Sequence, residues 1–170
     1  KYDGAKFHTT KNDGLTEALV VPIFEDSKRR LWFDVKQHGK TIKIGKYDGT
    51  GLHYFPVEGD LTFPGAVEDK REQIWFGTDN GVYRYNGTNF EHLTMAHGLA
   101  GNRVSSAIED RADNIWFGVR GNDKPQSIGF GGLSVYDGTR FRTYSTADGL
   151  GSDSVTGILK DRNGNLWFRT

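Results

Sequence analysis

The residues able to do chemistry in this 170-residue chain are few and scattered. There is no cysteine, which excludes disulfides and thiol catalysis. The five histidines form no His-Glu-x-x-His and no i, i+4 pair on a helical pattern, so no metal follows from them. His8, His53 and His92 are expected on outer strands with solvated side chains. The run DRNGN (161–165) has oxygen ligands at alternating positions, as a calcium loop would. Its counterpart DSKRR (26–30) puts three cations there, so a turn is expected instead. Asn86-Gly87-Thr88 matches a glycosylation sequon but stands where three Asp-Gly turns stand elsewhere, and turn chemistry explains it. GFGG (129–132) lacks the strand and helix context of a phosphate loop, and no cofactor is assigned. A general base would have to come from Asp34, His38 or Asp153, yet no spacing makes these three a constellation.

The elements that would position such groups come from the rest of the composition. Basic and acidic residues number 22 each, and no basic patch is visible, so neither nucleic acid nor an anionic membrane is an expected partner. No stretch approaches the roughly 18 apolar residues of a membrane span, and the first residues lack the charged-then-apolar order of a signal peptide. With 23 glycines, four prolines, many aromatics and no long helical period, the reading is all-β with many short strands. At this length the chain can bury a real core as one domain, residues 1–170, without metal or disulfide staples.

A repeat organises those strands. The four tryptophans, Trp32, Trp75, Trp116 and Trp167, are separated by 43, 41 and 51 residues, a period of solenoids, propellers or arrays. Each follows an aspartate (Asp26, Asp69, Asp110, Asp161) by six residues, which marks a hairpin of fixed length. Tyr2, Tyr47, Tyr85 and Tyr136 each precede Phe7, Leu52, Phe90 or Phe141 by five residues across Asp-Gly or Asn-Gly, a second fixed hairpin. From tryptophan to the next tyrosine the gaps are 15, 10 and 20, so this connection is free to grow.

Four strands per unit, A to D, account for the pattern. B is apolar on both faces (LWF, IWF), as a strand covered on both sides requires. A carries a compact residue at Pro22, Gly65, Ser106 or Gly157, which suits an innermost strand with one unpaired edge near a crowded axis. Four-stranded antiparallel sheets set radially around an axis make a β-propeller. The repeats fall at about 17–57, 61–94 and 103–145, with 154–170 completed by 1–10. The terminal pieces are complementary halves of one composite blade. The repeated tryptophans are expected in the core.

The segments DNIWFGV…GGLSVYDGTRFRTYSTADGL and EQIWFGTDNGVYRYNGTNFEHLT resemble the two-component-regulator propeller repeat across essentially the whole chain. In that family such repeats build periplasmic sensor modules of bacterial hybrid histidine kinases, many of which detect carbohydrate fragments. The resemblance therefore implies a periplasmic or extracellular, non-enzymatic binding module with carbohydrate or another small polar ligand. A second class, a propeller lyase or hydrolase, is kept because streptogramin-lyase-like propellers use similar Trp-centred blades. A third is a structural propeller mediating protein assembly.

Because the repeated residues are hydrophobic and turn positions, function is expected where the repeat breaks. Where glycine follows Trp-Phe at Gly77 and Gly118, the first and last units have Asp34 and Arg169. In a closed ring these would be neighbours, either as a charged pair lining the ligand face or as an interblade salt bridge. The second break is the insertion at 120–132, since loops that lengthen on a fixed scaffold tend to carry binding residues. B–C and D–A connections emerge on one face of a propeller. That face would bring Asn102, Arg103, Asp153 and Ser154 near the axis, with Arg120, Lys124 and Phe130 closing over them. The ring itself has two expected closures: within one chain as four blades, or between two chains as an eight-bladed homodimer.

Overall fold

The structure, a computed structural model, describes residues 18–58, 65–121 and 131–170. These fold into three four-stranded antiparallel sheets and one two-stranded sheet. The first sheet is β1 (Ala18–Glu25), β2 (Leu31–Gln37), β3 (Lys40–Tyr47) and β4 (Leu52–Pro56). The second is β5 (Gly65–Glu68), β6 (Ile74–Thr78), β7 (Gly81–Tyr85) and β8 (Phe90–Leu93). The third is β9 (Val104–Glu109), β10 (Ile115–Val119), β11 (Gly132–Tyr136) and β12 (Phe141–Tyr144), and the last is β13 (Gly157–Lys160) with β14 (Leu166–Arg169). Each sheet runs in simple meander order, and neighbouring sheets meet through their first strands, β1 with β5, β5 with β9 and β9 with β13. The strand with the compact residue is thus innermost, and the sheets are propeller blades. The composite blade lies outside this account, because residues 1–10 fall outside the described residues.

The six-residue spacing from aspartate to tryptophan has a specific cause. In all four units the indole Nε1 donates to the aspartate Oδ2, at 2.7 Å from Trp32, 2.8 Å from Trp75 and Trp116, and 3.0 Å from Trp167. The other carboxylate oxygen gathers the turn, accepting from the backbone N–H of Lys28 and Arg30 on Asp26, and of Arg71 and Gln73 on Asp69. One carboxylate therefore closes the A–B hairpin and satisfies the indole donor, which is buried at Trp32 and Trp75. The turn needs a left-handed residue three places after the aspartate, met at Arg29 (φ 61°), Glu72 (φ 61°), Asp113 (φ 63°) and Gly164 (φ 83°).

The second hairpin is equally local. Asp48 and Asp137 accept from the N–H groups of the second and third residues after them, and Asn86 does the same through Oδ1 from Thr88 and Asn89. The preceding tyrosine hydroxyl donates to the turn glycine carbonyl at Gly49, Gly87 and Gly138. Asn86 is thus engaged as a turn residue, as its position in the repeat implies.

Most of the core lies between blades, and a smaller cluster around Phe33 and Val35 lies on the first blade alone. Trp32 packs on Phe76 and Tyr85 of the second blade, with ring centroids 5.4 and 5.0 Å apart. Trp75 packs on Phe117 and Tyr136 of the third at 5.8 and 5.2 Å, and Trp116 on Phe168 of the last at 5.7 Å. Arg84 lies between Trp75 and Tyr136, 5.2 and 5.4 Å from the ring centroids. Along the A–B turns the blades are also laced by polar contacts. Ser27 donates from N and Oγ to the Glu68 carboxylate, both at 2.7 Å, and Lys70 N donates to Glu109 at 3.0 Å. Trp32 and Trp75 are each 1% exposed, but Trp167 is 62% exposed. The expectation that every tryptophan is core holds at Trp32 and Trp75, is met only in part at the half-buried Trp116, and fails at Trp167, where no described residue stands to cover it.

Candidate functional site

The two residues that break the Trp-Phe-Gly pattern do not meet. Asp34 is buried on β2, on the same side as Trp32, and its carboxylate pairs with Lys36 at 3.2 Å while its Oδ1 has no hydrogen-bond partner. Arg169 is exposed on β14, where its Nε donates to Thr156 Oγ1 at 2.8 Å. They occupy the first and last sheets, and each has a partner in its own blade. The expected Asp34–Arg169 pair is therefore absent among the described residues.

The face carrying the B–C and D–A connections is built around two 3-10 turns, Met95–His97 and Thr146–Asp148. Each follows an extended Thr94 or Ser145 and ends on a left-handed glycine, Gly98 at φ 101° and Gly149 at φ 95°. The residue that fixes the first turn to the inner strand is Asn102, whose Oδ1 accepts from Met95 N at 2.9 Å. Asp153 does the same for the second, accepting from Thr146 N at 2.6 Å and from Thr146 Oγ1 at 3.1 Å. Both stand eight residues before the A–B aspartate, so their roles are equivalent and architectural. Ser105 is also committed, donating between the Gly118 and Val155 carbonyls.

Arg103, Arg120 and Ser154 remain at this face. Arg120 N donates to Arg103 O at 2.9 Å, one step beyond the Val104–Val119 rung of β9 and β10. Both arginines are exposed. Ser154 is half-buried, its N–H on Ser152 Oγ at 3.1 Å. Gly121 and Gly131 lie against the Asp153 carbonyl so closely that a Cβ on Gly131 would collide with it, which holds the neck of the insertion against the start of the last blade. Lys124 and Phe130 lie outside the described residues. The structure thus brings together Asn102, Arg103, Arg120, Asp153 and Ser154 around this connection, and leaves Asp34 and Arg169 elsewhere.

The groups considered as a general base are separated too. Asp34 is buried and ion-paired, His38 is exposed at the β2–β3 turn with φ 51°, and Asp153 is a cap at the start of the last blade. Among the described residues no three His, Asp or Glu side chains gather as a metal site. His92, expected to be solvated, is instead half-buried: its ring stacks on Tyr83 at 4.3 Å and 2°, and Nε2 lies 2.6 Å from Asn80 O. Burial pushes the Tyr83 phenol up, and its hydroxyl accepts from Glu58 N at 3.0 Å. This knot joins the outgoing end of the first blade to the second, and its histidine gave no signal because outer-strand position alone suggested solvent.

Two segments of the chain match a known repeat family. The family described as Two component regulator propeller matches residues 98–121 and 149–170. These two segments are similar to two-component regulator propeller repeats. Each matched segment begins in a D–A connection, at Gly98 or Gly149, and runs through strand A and the aspartate hairpin to the end of B, so the match follows the scaffold described above. Curated proteins gave no match. Among solved structures, the extracellular domain of a hybrid two-component system from B. thetaiotaomicron is similar over 88% of this chain, with 21% identity and a TM-score of 0.65. A second such extracellular domain from B. thetaiotaomicron is similar over 97% of this chain (19% identity, TM-score 0.45). PorZ, a surface component of the type-IX secretion system of Porphyromonas gingivalis, is similar over 96% (17% identity, TM-score 0.48). The propeller fold rests on the first. The chain spans 20%, 28% and 33% of the length of these three proteins.

Proposed function

We propose that this propeller segment is a non-enzymatic ligand-binding module of a bacterial sensor, working outside the cytoplasm, with carbohydrate the leading ligand. The observation that carries the reading is a division of labour. The recurring aspartates, tryptophans and tyrosines are engaged in hairpins and blade contacts, whereas the uncommitted polar side chains of the B–C and D–A face, Arg103, Arg120 and Ser154, stand where the units differ. Loops on a rigid scaffold are the usual place for recognition. The extracellular placement is carried over from the similar B. thetaiotaomicron domains. The test is a titration of isotope-labelled protein with pooled polysaccharide digests. Amide shifts confined to 101–104, 119–121 and 152–155 support the reading; shifts confined to the A–B turns, or none, contradict it.

A second reading, assembly, is favoured by the exposed Trp167 face. In it a second copy closes the ring at the last half-blade. Light scattering that returns twice the chain mass of 19.0 kDa supports this closure, and a single-chain mass opposes it.

A further inference from the structure

Around the neck of the insertion, the charged side chains are not ion-paired with one another among the described residues. The acid nearest the neck, Asp153, is held by the Thr146 backbone and hydroxyl, and Asn102 is held by Met95. Arg103 and Arg120 remain, joined through the Arg120 N to Arg103 O bond, with no ion pair from either guanidinium among the described residues. Like charges at facing positions of an antiparallel pair are unfavourable. The corresponding rung of the first blade pairs Leu19 with Lys36, which places one cation there rather than two, and that cation is neutralised by Asp34. The third blade thus doubles the charge at this rung and supplies no partner, beside the insertion that breaks the repeat.

We infer that Arg103 and Arg120 form an oxyanion-recognising pair, so that the ligand of this face is an acidic glycan rather than a neutral one. This rests on the ligand-binding reading above. A guanidinium offers a planar fork of donors that matches a carboxylate or sulfate in two parallel hydrogen bonds, and two arginines at facing backbone positions suit one such group or two on adjacent sugars. A bound anion would also remove the repulsion between the arginines. The ligand therefore recovers in binding what the free protein lacks, and affinity falls as salt screens the pair. Ser154, three residues before β13, is placed to meet a sugar hydroxyl.

The experiment is calorimetry on the full chain with matched probes. Oligogalacturonate and its fully methyl-esterified form test a carboxylate; chondroitin sulfate oligosaccharides and their desulfated form test a sulfate on an otherwise similar backbone. The expected result is at least tenfold tighter binding of one acidic probe than of its partner, weakening as sodium chloride rises from 50 to 300 mM, with the choice of probe identifying the anion. Arg103→Gln and Arg120→Gln should each abolish that preference while leaving the melting temperature unchanged or slightly higher, since removing one charge relieves the pair. A lowered melting temperature with the preference intact would show that the arginines are structural and overturn the inference. Binding of methyl-esterified oligogalacturonate as tightly as the free acid, together with desulfated chondroitin as tightly as the sulfated form, would also overturn it while leaving the ligand-binding face standing. Absence of binding by all four probes would overturn the acidic-glycan assignment, and the labelled-protein titration with digests would then decide separately whether the face binds any sugar.

Discussion

Trp75 and Trp167 occupy the same place in the repeat and have opposite surroundings. Both donate to an aspartate six residues earlier, at 2.8 and 3.0 Å, so the hairpin forms identically in each. Trp75 is then sealed by Phe117 and Tyr136 of the next blade and is 1% exposed, whereas Trp167 is 62% exposed. The hairpin is therefore a local product of sequence, and burial is the contribution of the following blade. A blade of this type holds its shape through one carboxylate but acquires its core only from a neighbour, as expected of repeat arrays stabilised by nearest-neighbour contacts.

Substitutions at the two tryptophans separate these contributions. Trp75→Ala should cost about 3–5 kcal/mol, the usual range for an emptied aromatic core site, seen as a large drop in the denaturation midpoint. A loss below about 1 kcal/mol would mean the blade interface contributes little. Asp69→Ala should cost about 2 kcal/mol, because it leaves the buried indole donor of Trp75 and the turn N–H groups without an acceptor. Asp69→Asn should recover part of that loss, since its carbonyl oxygen can still accept.

Acid provides the third perturbation. Hydrogen bonds from the Thr139 hydroxyl and from the Arg140 and Thr139 backbone hold Asp137 at about 2, and those from Trp167 and Asn165 hold Asp161 at about 2, both from an ordinary 3.8. Burial opposes ionisation of Asp26 and Asp110, but bonds from the indoles and turn N–H groups outweigh it and bring both below the ordinary value. A carboxylate lowered by folding contributes stability that is complete above its unfolded value and is lost as pH falls through its folded one. Melting temperature should therefore hold down to about pH 4 and fall between about 4 and 2. Asp137→Asn should flatten part of that fall, as Asn86 already serves in the equivalent turn; an unchanged pH profile would count against these turns as the acid-sensitive element. The smallest effect belongs to Trp167→Ala, expected within about 0.5 kcal/mol in the single chain because its ring has little cover to lose. A loss comparable to that at Trp75 would mean Trp167 is covered in solution, as ring closure by a second copy requires.

Much of this was legible before any coordinates, and the reason is physical. Fixed gaps from aspartate to tryptophan and from tyrosine to aromatic reflect hydrogen bonds inside one hairpin, so the spacing carries the geometry. The innermost placement of the strands with Pro22, Gly65, Ser106 and Gly157 followed from steric limits. The site was less readable. Asn102 and Asp153 looked like free polar groups, but their acceptors close 3-10 turns seven residues earlier, and nothing in their types distinguishes a cap from a ligand contact. Asp34 and Arg169 looked paired because sequence order suggests a ring, whereas their partners, Lys36 and Thr156, lie within their own blades. Stacking of His92 on Tyr83 depends on two strands meeting, which a one-dimensional pattern does not contain.

If scaffold and recognition are separate, the first lies in what repeats and the second in Arg103 and Arg120. The most direct test is to measure melting temperature and affinity for the preferred acidic oligosaccharide on Asp69→Asn and Arg103→Gln in parallel. The account predicts lower stability with unchanged affinity for the first, and unchanged stability with at least tenfold weaker binding for the second. Loss of both properties in both variants would contradict it, because the hairpins and the binding face would then be one cooperative unit.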